Sequence, residues 1–188
     1  MSILSASVLL FLVIDPLGNV PVFMSFLSSV DDKRHKIIVF RELLIALGIL
    51  CFFLVAGKHL LGILRISESS LGIAGGVVLF MVAIRMIFLG AKDIFETEIS
   101  GEPFVVPLAT PFIAGPSAVA TVMLISASDT ARILDWLIAV LIAWSASGVI
   151  LLFSGWLKKI LGDRCLLAIE RLMGMLLTTV AVEMLVTG

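Results

Sequence analysis

Six long apolar segments, separated by short polar stretches, make up most of the chain. Each segment holds about 20 or more residues, which as a helix spans the ~30 Å hydrocarbon core of a bilayer. The polar stretches, such as DDKRHK at 31–36, are too short for a soluble domain. The pattern predicts an all-α polytopic membrane protein with one transmembrane domain over 1–188. The six segments are 2–28, 37–57, 70–90, 104–127, 135–157 and 166–187.

Composition supports this class. Of the 188 residues 61% are hydrophobic and the mean hydropathy is +1.23, whereas soluble proteins are about 45–50% apolar. A net charge of −1 excludes the large basic surface of a nucleic-acid-binding protein. Two cysteines argue against a disulfide framework. No positively charged region or cleavage site precedes the first segment, so we expect mature membrane structure and not a signal peptide.

The distribution of basic residues predicts the orientation. The stretches after the first, third and fifth segments hold seven lysines and arginines, and the opposite side holds three. Short basic loops face the cytoplasm, so we expect both termini to face outward from a bacterial inner membrane. The seven are Lys33, Arg34, Lys36, Lys92, Lys158, Lys159 and Arg164, and the three are Lys58, Arg65 and Arg132.

A proline motif in the first segment recurs in the fourth. DPLGNVP at 15–21 aligns with TPFIAGP at 110–116, at an offset of 95. The third and sixth segments also align, at an offset of 98 that pairs Gly76 with Gly174. Because each half holds three crossings, the two copies must have opposite orientations in the membrane. We therefore expect two inverted three-helix repeats, 1–95 and 96–188.

The prolines predict that helices 1 and 4 are broken near mid-membrane. Proline lacks an N–H and pushes the preceding residue out of the α region, so we expect Asp15 and Val20 to be extended. A half-helix that starts in a cavity with a cap residue and a proline is an anion site. A charge at mid-bilayer costs about 2.5–3.5 kcal/mol, so Asp15 indicates a site, although capping the second half-helix is an alternative role. The candidate substrate- or ion-binding residues are Asp15, Pro16, Gly18, Asn19, Pro21, Thr110, Pro111, Ala114, Gly115, Pro116 and Ser117.

Six further charged residues are candidates for coupling or gating. Two adjacent pairs of opposite charge, at 41–42 and 170–171, lie near cytoplasmic helix ends, where we favour interhelical ion pairs or snorkelling over a gate. The arginine of the third segment is placed to snorkel, and its repeat mate, a glutamate in the sixth, is a secondary candidate for ion coupling. Inverted repeats put these two at opposite membrane faces, so we do not expect them to pair. The six residues are Arg41, Glu42, Arg85, Glu170, Arg171 and Glu183.

The sequence contains no enzyme motif. The two histidines, His35 and His59, are far apart in the predicted topology, and HExxH, GxSxG, CxxC and P-loop sequences are missing. We expect no catalytic activity and no cofactor, with coupling to H⁺ or Na⁺ left open. The small-residue spacing of Ala139, Ala143 and Ser147 indicates helix packing.

Four stretches resemble the MarC family of integral membrane proteins, closest to its YhgN-like branch. They are DPLGNVPVF at 15–23, RELLIALG at 41–48, VPLATPFIAGPSAVATVML at 106–124 and ERLMGMLL at 170–177. The resemblance covers essentially the entire chain. It implies kinship with LysE-type exporters, and some relatives are described as neutral amino acid transporters. By this resemblance the first family motif is matched by Asp15, Pro16, Gly18, Asn19 and Pro21, and the second by Ala114, Gly115 and Pro116.

Together these features predict a secondary transporter of small neutral amino acids or similar zwitterions. It would work by alternating access around a mid-membrane site, with half-helix N-termini receiving a carboxylate and Asp15 and Asn19 an ammonium group. A channel and a non-transporting scaffold or accessory subunit remain as alternatives. The expected partners are the lipid bilayer and the small substrate, without nucleic acid, and the sequence leaves the oligomeric state open.

Overall fold

The computed structural model describes residues 1–27, 32–88 and 113–187, and over these ranges it consists of helices without a strand. A short 3₁₀ helix, Thr130–Arg132, precedes the sixth α-helix. The last α-helix bends at Gly162, whose φ of 68° is open to glycine without strain. The α-helices are α1 (Ile3–Ile14), α2 (Pro16–Leu27), α3 (Asp32–Leu64), α4 (Glu68–Phe88), α5 (Pro116–Ser128), α6 (Ile133–Leu152) and α7 (Ser154–Thr187).

Within the described ranges, five helical stretches are long and apolar enough to cross a membrane, and α5 is a shorter apolar helix. Large apolar side chains, such as those of Phe52, Ile63 and Leu172, are exposed on the outside of the bundle, where lipid covers them. The predicted polytopic membrane class is therefore confirmed. The first nine residues of the predicted fourth segment, 104–112, lie outside the described residues. The five stretches are Ile3–Pro21, Arg34–Leu64, Glu68–Phe88, Thr130–Leu152 and Arg164–Thr187.

Among the described helices, α4 and α7 form the most extensive contact, and they run antiparallel with glycines at two contact points. A Cβ placed at Gly76 would lie 3.0 Å from the Ala181 carbonyl oxygen. A Cβ placed at Gly174 would lie 3.0 Å from the Ala83 carbonyl oxygen. The glycines thus let the two backbones approach closely, as small residues do in membrane helix pairs.

Two hydrogen bonds attach the backbone of α3 to its neighbours. The indole Nε1 of Trp144 on α6 donates to the Leu43 carbonyl at 2.7 Å. The hydroxyl of Ser126 on α5 donates to the Leu54 carbonyl at 2.6 Å. Both use a carbonyl that already accepts within α3, so they fix helix positions without breaking the helix.

One end of the bundle is defined by two contacts. Arg132 donates to the Met1 carbonyl at 3.0 Å, and Lys58 donates to the Thr130 hydroxyl at 2.7 Å. The N-terminus, the later part of α3 and the α5–α6 turn therefore lie together at what we call the Met1 end. It follows that α1 and α6 both run away from this end, side by side.

Candidate functional site

Asp15 ends α1 and begins α2. Its N–H donates to the Phe11 carbonyl at 3.0 Å, while its Oδ1 accepts the Gly18 N–H at 3.1 Å as the cap of α2. The predicted break and cap are confirmed, but the expectation of an extended Asp15 is wrong, because its φ of 47° and ψ of 61° are left-handed. That conformation, which aspartate tolerates better than most residues, lets one residue close a helix and cap the next.

The expectation of an extended Val20 is also wrong, because α2 continues through Pro21. A proline here removes one hydrogen bond, the one to the Leu17 carbonyl. Val20 and Phe23 are fully buried, and this packing holds the helix together across the missing bond. The first proline motif therefore breaks the chain at one point.

Asn19 repairs the backbone at this point. Since the Gly18 N–H is used by Asp15, the Ile14 carbonyl loses its helical partner, and Asn19 Nδ2 donates to it at 2.9 Å. The sequence suggested Asn19 as a ligand group. The structure adds a role in holding the two half-helices at a fixed angle.

The break is tightly packed against α4 and α7. A Cβ at Gly18 would overlap the Asp15 carboxylate and the terminal methyl of Met86. Met86 also packs at Gly174, where its Cβ lies 3.2 Å from the position of an added methyl. One turn earlier on α7, Glu170 interacts electrostatically with Asp15. The structure thus brings Asp15 and Glu170 together.

In the described part of the chain, three carboxylates are buried in the apolar bundle. Asp15 is 5% exposed, Glu42 1% and Glu170 2%, whereas Arg41 and Arg171 are exposed. The expectation of snorkelling is therefore wrong for the two glutamates. Arg41 donates to Glu42 Oε1 at 3.0 Å, so this pair lies within one helix and is not interhelical. Successive helix residues point about 100° apart, so arginine faces outward and glutamate inward.

The depth of Asp15 can be read from the parallel helices α1 and α6. Arg132 and Met1 are in contact at one end. At 1.5 Å per residue, Asp15 follows Met1 by about 21 Å along α1, and Ser147 follows Arg132 by about 22 Å along α6. The first break is therefore level with Ser147, about three quarters of the way along α6 from the Met1 end.

Glu42 lies at a similar depth. The Trp144–Leu43 hydrogen bond joins α3 to α6 less than one turn from Ser147, and Glu42 is next to Leu43. Glu170 belongs to the same region through its interaction with Asp15. We call Asp15, Glu42 and Glu170 the acidic layer.

The second proline motif starts α5 at Pro116. Gly115 is its N-cap and has no side chain to accept a hydrogen bond, so within the described residues no side chain caps this helix start. Ser117 is buried, and its carbonyl accepts the Thr121 hydroxyl at 2.8 Å. Ala114 is also buried, just before the helix. Thr110 and Pro111 lie outside the described residues.

Arg85 and Glu183 are not brought together. Both side chains are exposed. In the antiparallel α4–α7 pair, Arg85 is level with Gly174 and Glu183 with Gly76. They therefore lie about nine residues apart along the interface and form no ion pair with each other.

Sequence reasoning missed two buried oxygens. Glu42 Oε2 and Ser147 Oγ have no hydrogen-bond partner in the described part of the chain. Ser147 was assigned to packing alone. The signal for Glu42 was present, because it follows Val39 by three residues and Leu43 and Ala46 continue the same buried face.

Comparisons with known proteins agree on one family. The model of the MarC family integral membrane proteins matches residues 1–188. The chain is 44% identical to the inner membrane protein YhgN of Escherichia coli (strain K12) over 187 residues, covering 99% of this chain and 95% of the relative. It is 42% identical to a membrane protein of Buchnera aphidicola, with the same coverage, and 36% identical to one of Pyrococcus abyssi, covering 95% and 90%. No solved structure matches the chain.

Proposed function

Because the chain belongs to the MarC family of integral membrane proteins, we propose that it is a secondary transporter of small neutral amino acids or similar zwitterions. In this proposal it is a carrier and not an enzyme, and it works by alternating access around the acidic layer. The observation that carries the proposal is the burial of three carboxylates in an apolar bundle. A charge near the bilayer centre costs about 2.5–3.5 kcal/mol, and such residues are typical of solute and ion pathways.

Two inverted repeats, 1–95 and 96–188, are part of the proposal. The contacts of Gly76 and Gly174 support the repeats. Adding the offset of 98 to the residue numbers of the neighbours of Gly174 gives the neighbours of Gly76. In both sets the nearest atoms are an alanine carbonyl oxygen, a methionine Cβ and a γ-carbon. A pseudo-twofold axis between α4 and α7 produces this reciprocity. The neighbours are Ala181, Met184 and Leu185 at Gly76, and Ala83, Met86 and Ile87 at Gly174.

The proposed orientation places the Met1 end outside the cell and the other end in the cytoplasm. The contact between Arg132 and Met1 supports a common face for the N-terminus and the sparsely basic loops. An inner-membrane location is supported by the relative from Escherichia coli, which is named an inner membrane protein.

The chemistry of the two breaks favours a zwitterion. Asp15 gives the first break a negative charge, with Glu170 beside it. The second break offers helix N–H groups without a capping side chain, which suit a carboxylate. Helices α1 and α5, which end and begin at the two proline motifs, are in contact, and this supports a meeting of the two breaks. Asp15 and Glu170 interact, so one of these two carboxylates is placed to take up H⁺ or Na⁺ and couple transport to an ion gradient.

Counterflow of labelled alanine into proteoliposomes tests the proposal. Uptake should require unlabelled alanine inside and fall to the protein-free level in Asp15→Asn, because asparagine still caps α2 but carries no charge. Asp135→Asn is the matched control, since Asp135 pairs with Arg132 outside the acidic layer, and it should retain counterflow. No counterflow of any small neutral amino acid by folded, inserted native protein would refute the transporter assignment.

A further inference from the structure

A cleft of about 620 Å³ opens at the end of the bundle opposite the Met1 end. Its walls come from the end of α2, the start of α3 and the α6–α7 junction. Val39 and Leu151 are buried and form its floor, while Lys36 and Lys159 are exposed at its rim. The cleft is thus a polar-rimmed entrance with an apolar bottom.

The floor lies one helical turn from the two buried oxygens without partners. Val39 precedes Glu42 by three residues on α3, and Leu151 follows Ser147 by four on α6. Residues at these spacings share a helix face. A buried polar atom left unpaired costs about 1–3 kcal/mol, so Glu42 Oε2 and Ser147 Oγ require an explanation.

Helix geometry directs the Glu42 side chain toward the cleft. Helical side chains tilt toward the N-terminus of their own helix, and the N-terminus of α3 is at the cleft end. The Arg41 guanidinium occupies Glu42 Oε1, which leaves Oε2 as the available acceptor. Helices α3 and α6 touch here, since Leu43 Cδ1 is 3.3 Å from the position of a Cβ at Gly148.

We propose that Glu42 Oε2 and Ser147 Oγ bind the ammonium group of a small amine that enters through this cleft, before it reaches Asp15. An ammonium group supplies N–H donors to both oxygens, and Val39 and Leu151 fit its carbon chain. A hard metal cation gathers about six or more oxygen ligands, which two free oxygens do not provide. The inference deepens the proposed function by adding a site of entry. It rests on that function in one respect, namely that the amine is a transported amino acid.

Protection of an engineered cysteine tests this site without requiring transport. The background is Cys51→Ala with Cys165→Ser, to which Leu152→Cys is added, because Leu152 also lines the cleft and is only half-buried, whereas Leu151 is fully buried. A membrane-impermeant maleimide should label this cysteine from the cleft side of the membrane. Methylammonium should slow the labelling about tenfold at roughly nine times its Kd. Tetramethylammonium, which has the same charge but no N–H, should not slow it.

Two further variants separate binding from structure. Glu42→Gln and Ser147→Ala should each abolish protection by methylammonium while the unprotected labelling rate stays the same. Ser147→Ala removes an unpaired hydroxyl, so the fold is expected to be as stable or more stable. Leu50→Cys, fully buried two turns beyond Glu42, is the control and should not be labelled.

Each possible result of the labelling experiment either supports or overturns the proposed entry site. Labelling of Leu152→Cys with protection that needs both Glu42 and Ser147 supports the inference, even if the native protein shows no alanine counterflow. An unlabelled Leu152→Cys, equal protection by tetramethylammonium or Na⁺, or protection that persists in Glu42→Gln or in Ser147→Ala overturns it. Alanine counterflow without protection would overturn the entry site and leave the proposed function standing.

Discussion

Replacing either glycine of the α4–α7 contact by alanine should destabilise the bundle. At Gly76 the new Cβ would lie 3.0 Å from the Ala181 carbonyl oxygen and 3.1 Å from Leu185 Cγ. At Gly174 it would lie 3.0 Å from the Ala83 carbonyl oxygen. A backbone oxygen cannot rotate away as a side chain can, so the helices must separate.

The size of the effect follows from two opposing terms. Overpacking costs about 1–3 kcal/mol, whereas alanine gains up to about 1 kcal/mol over glycine in helix propensity. Gly48 in α3 is a matched control, because a Cβ there meets nothing within 4 Å. Gly48→Ala should therefore be neutral or stabilising, and its difference from Gly76→Ala isolates the steric cost of about 1–3 kcal/mol.

The assay is reversible unfolding in mixed detergent and SDS micelles, followed by far-UV circular dichroism. Gly76→Ala and Gly174→Ala should lose similar unfolding free energies, because their contacts are equivalent. If Gly76→Ala behaves like Gly48→Ala, the close approach of the helices is refuted. If only one of the two variants is destabilised, the reciprocity between α4 and α7 is refuted.

Two other changes test single contacts. Ser126→Ala should lower the unfolding free energy in the same assay by about 0.5–1.5 kcal/mol, because the bond to the Leu54 carbonyl is lost, and an unchanged value would contradict that bond. Gly18→Ala should reduce alanine counterflow in proteoliposomes, because its methyl would displace the Asp15 carboxylate or Met86, and native counterflow would contradict the packing at the break.

The membrane class and the first break could be predicted because both depend on local features. Apolar length marks a spanning helix, and the Asp-Pro pair marks a helix start. Helix ends were less predictable. The second segment was expected over 37–57, but α3 runs from Asp32 to Leu64. At its start the helix includes the charged stretch 32–36, and at its end it continues past Lys58 and His59 into the apolar residues 60–64. Single polar residues ended the predicted segment but do not end the helix.

The acidic layer was harder to predict for a physical reason. In sequence, Arg41–Glu42 is a neighbouring pair of opposite charges, which is typical of a surface. Which residue of such a pair faces inward depends on the packing of the whole helix. The depth of Glu42 further depends on the Trp144 bond to α3, which no short-range pattern reveals. Asp15 stood out because it is isolated among apolar residues.

The two proline motifs also differ in a way that bears on the proposed transporter. A repeat with identical breaks would present the same charge twice and would suit a ligand with two like ends. Here α2 is capped by the carboxylate of Asp15, whereas α5 starts after Gly115, which adds no charge. One half therefore favours a cation and the other, through its helix N–H groups, an anion. An amino acid has both groups a few atoms apart, so the divergence of the two copies suits a zwitterion better than a simple cation.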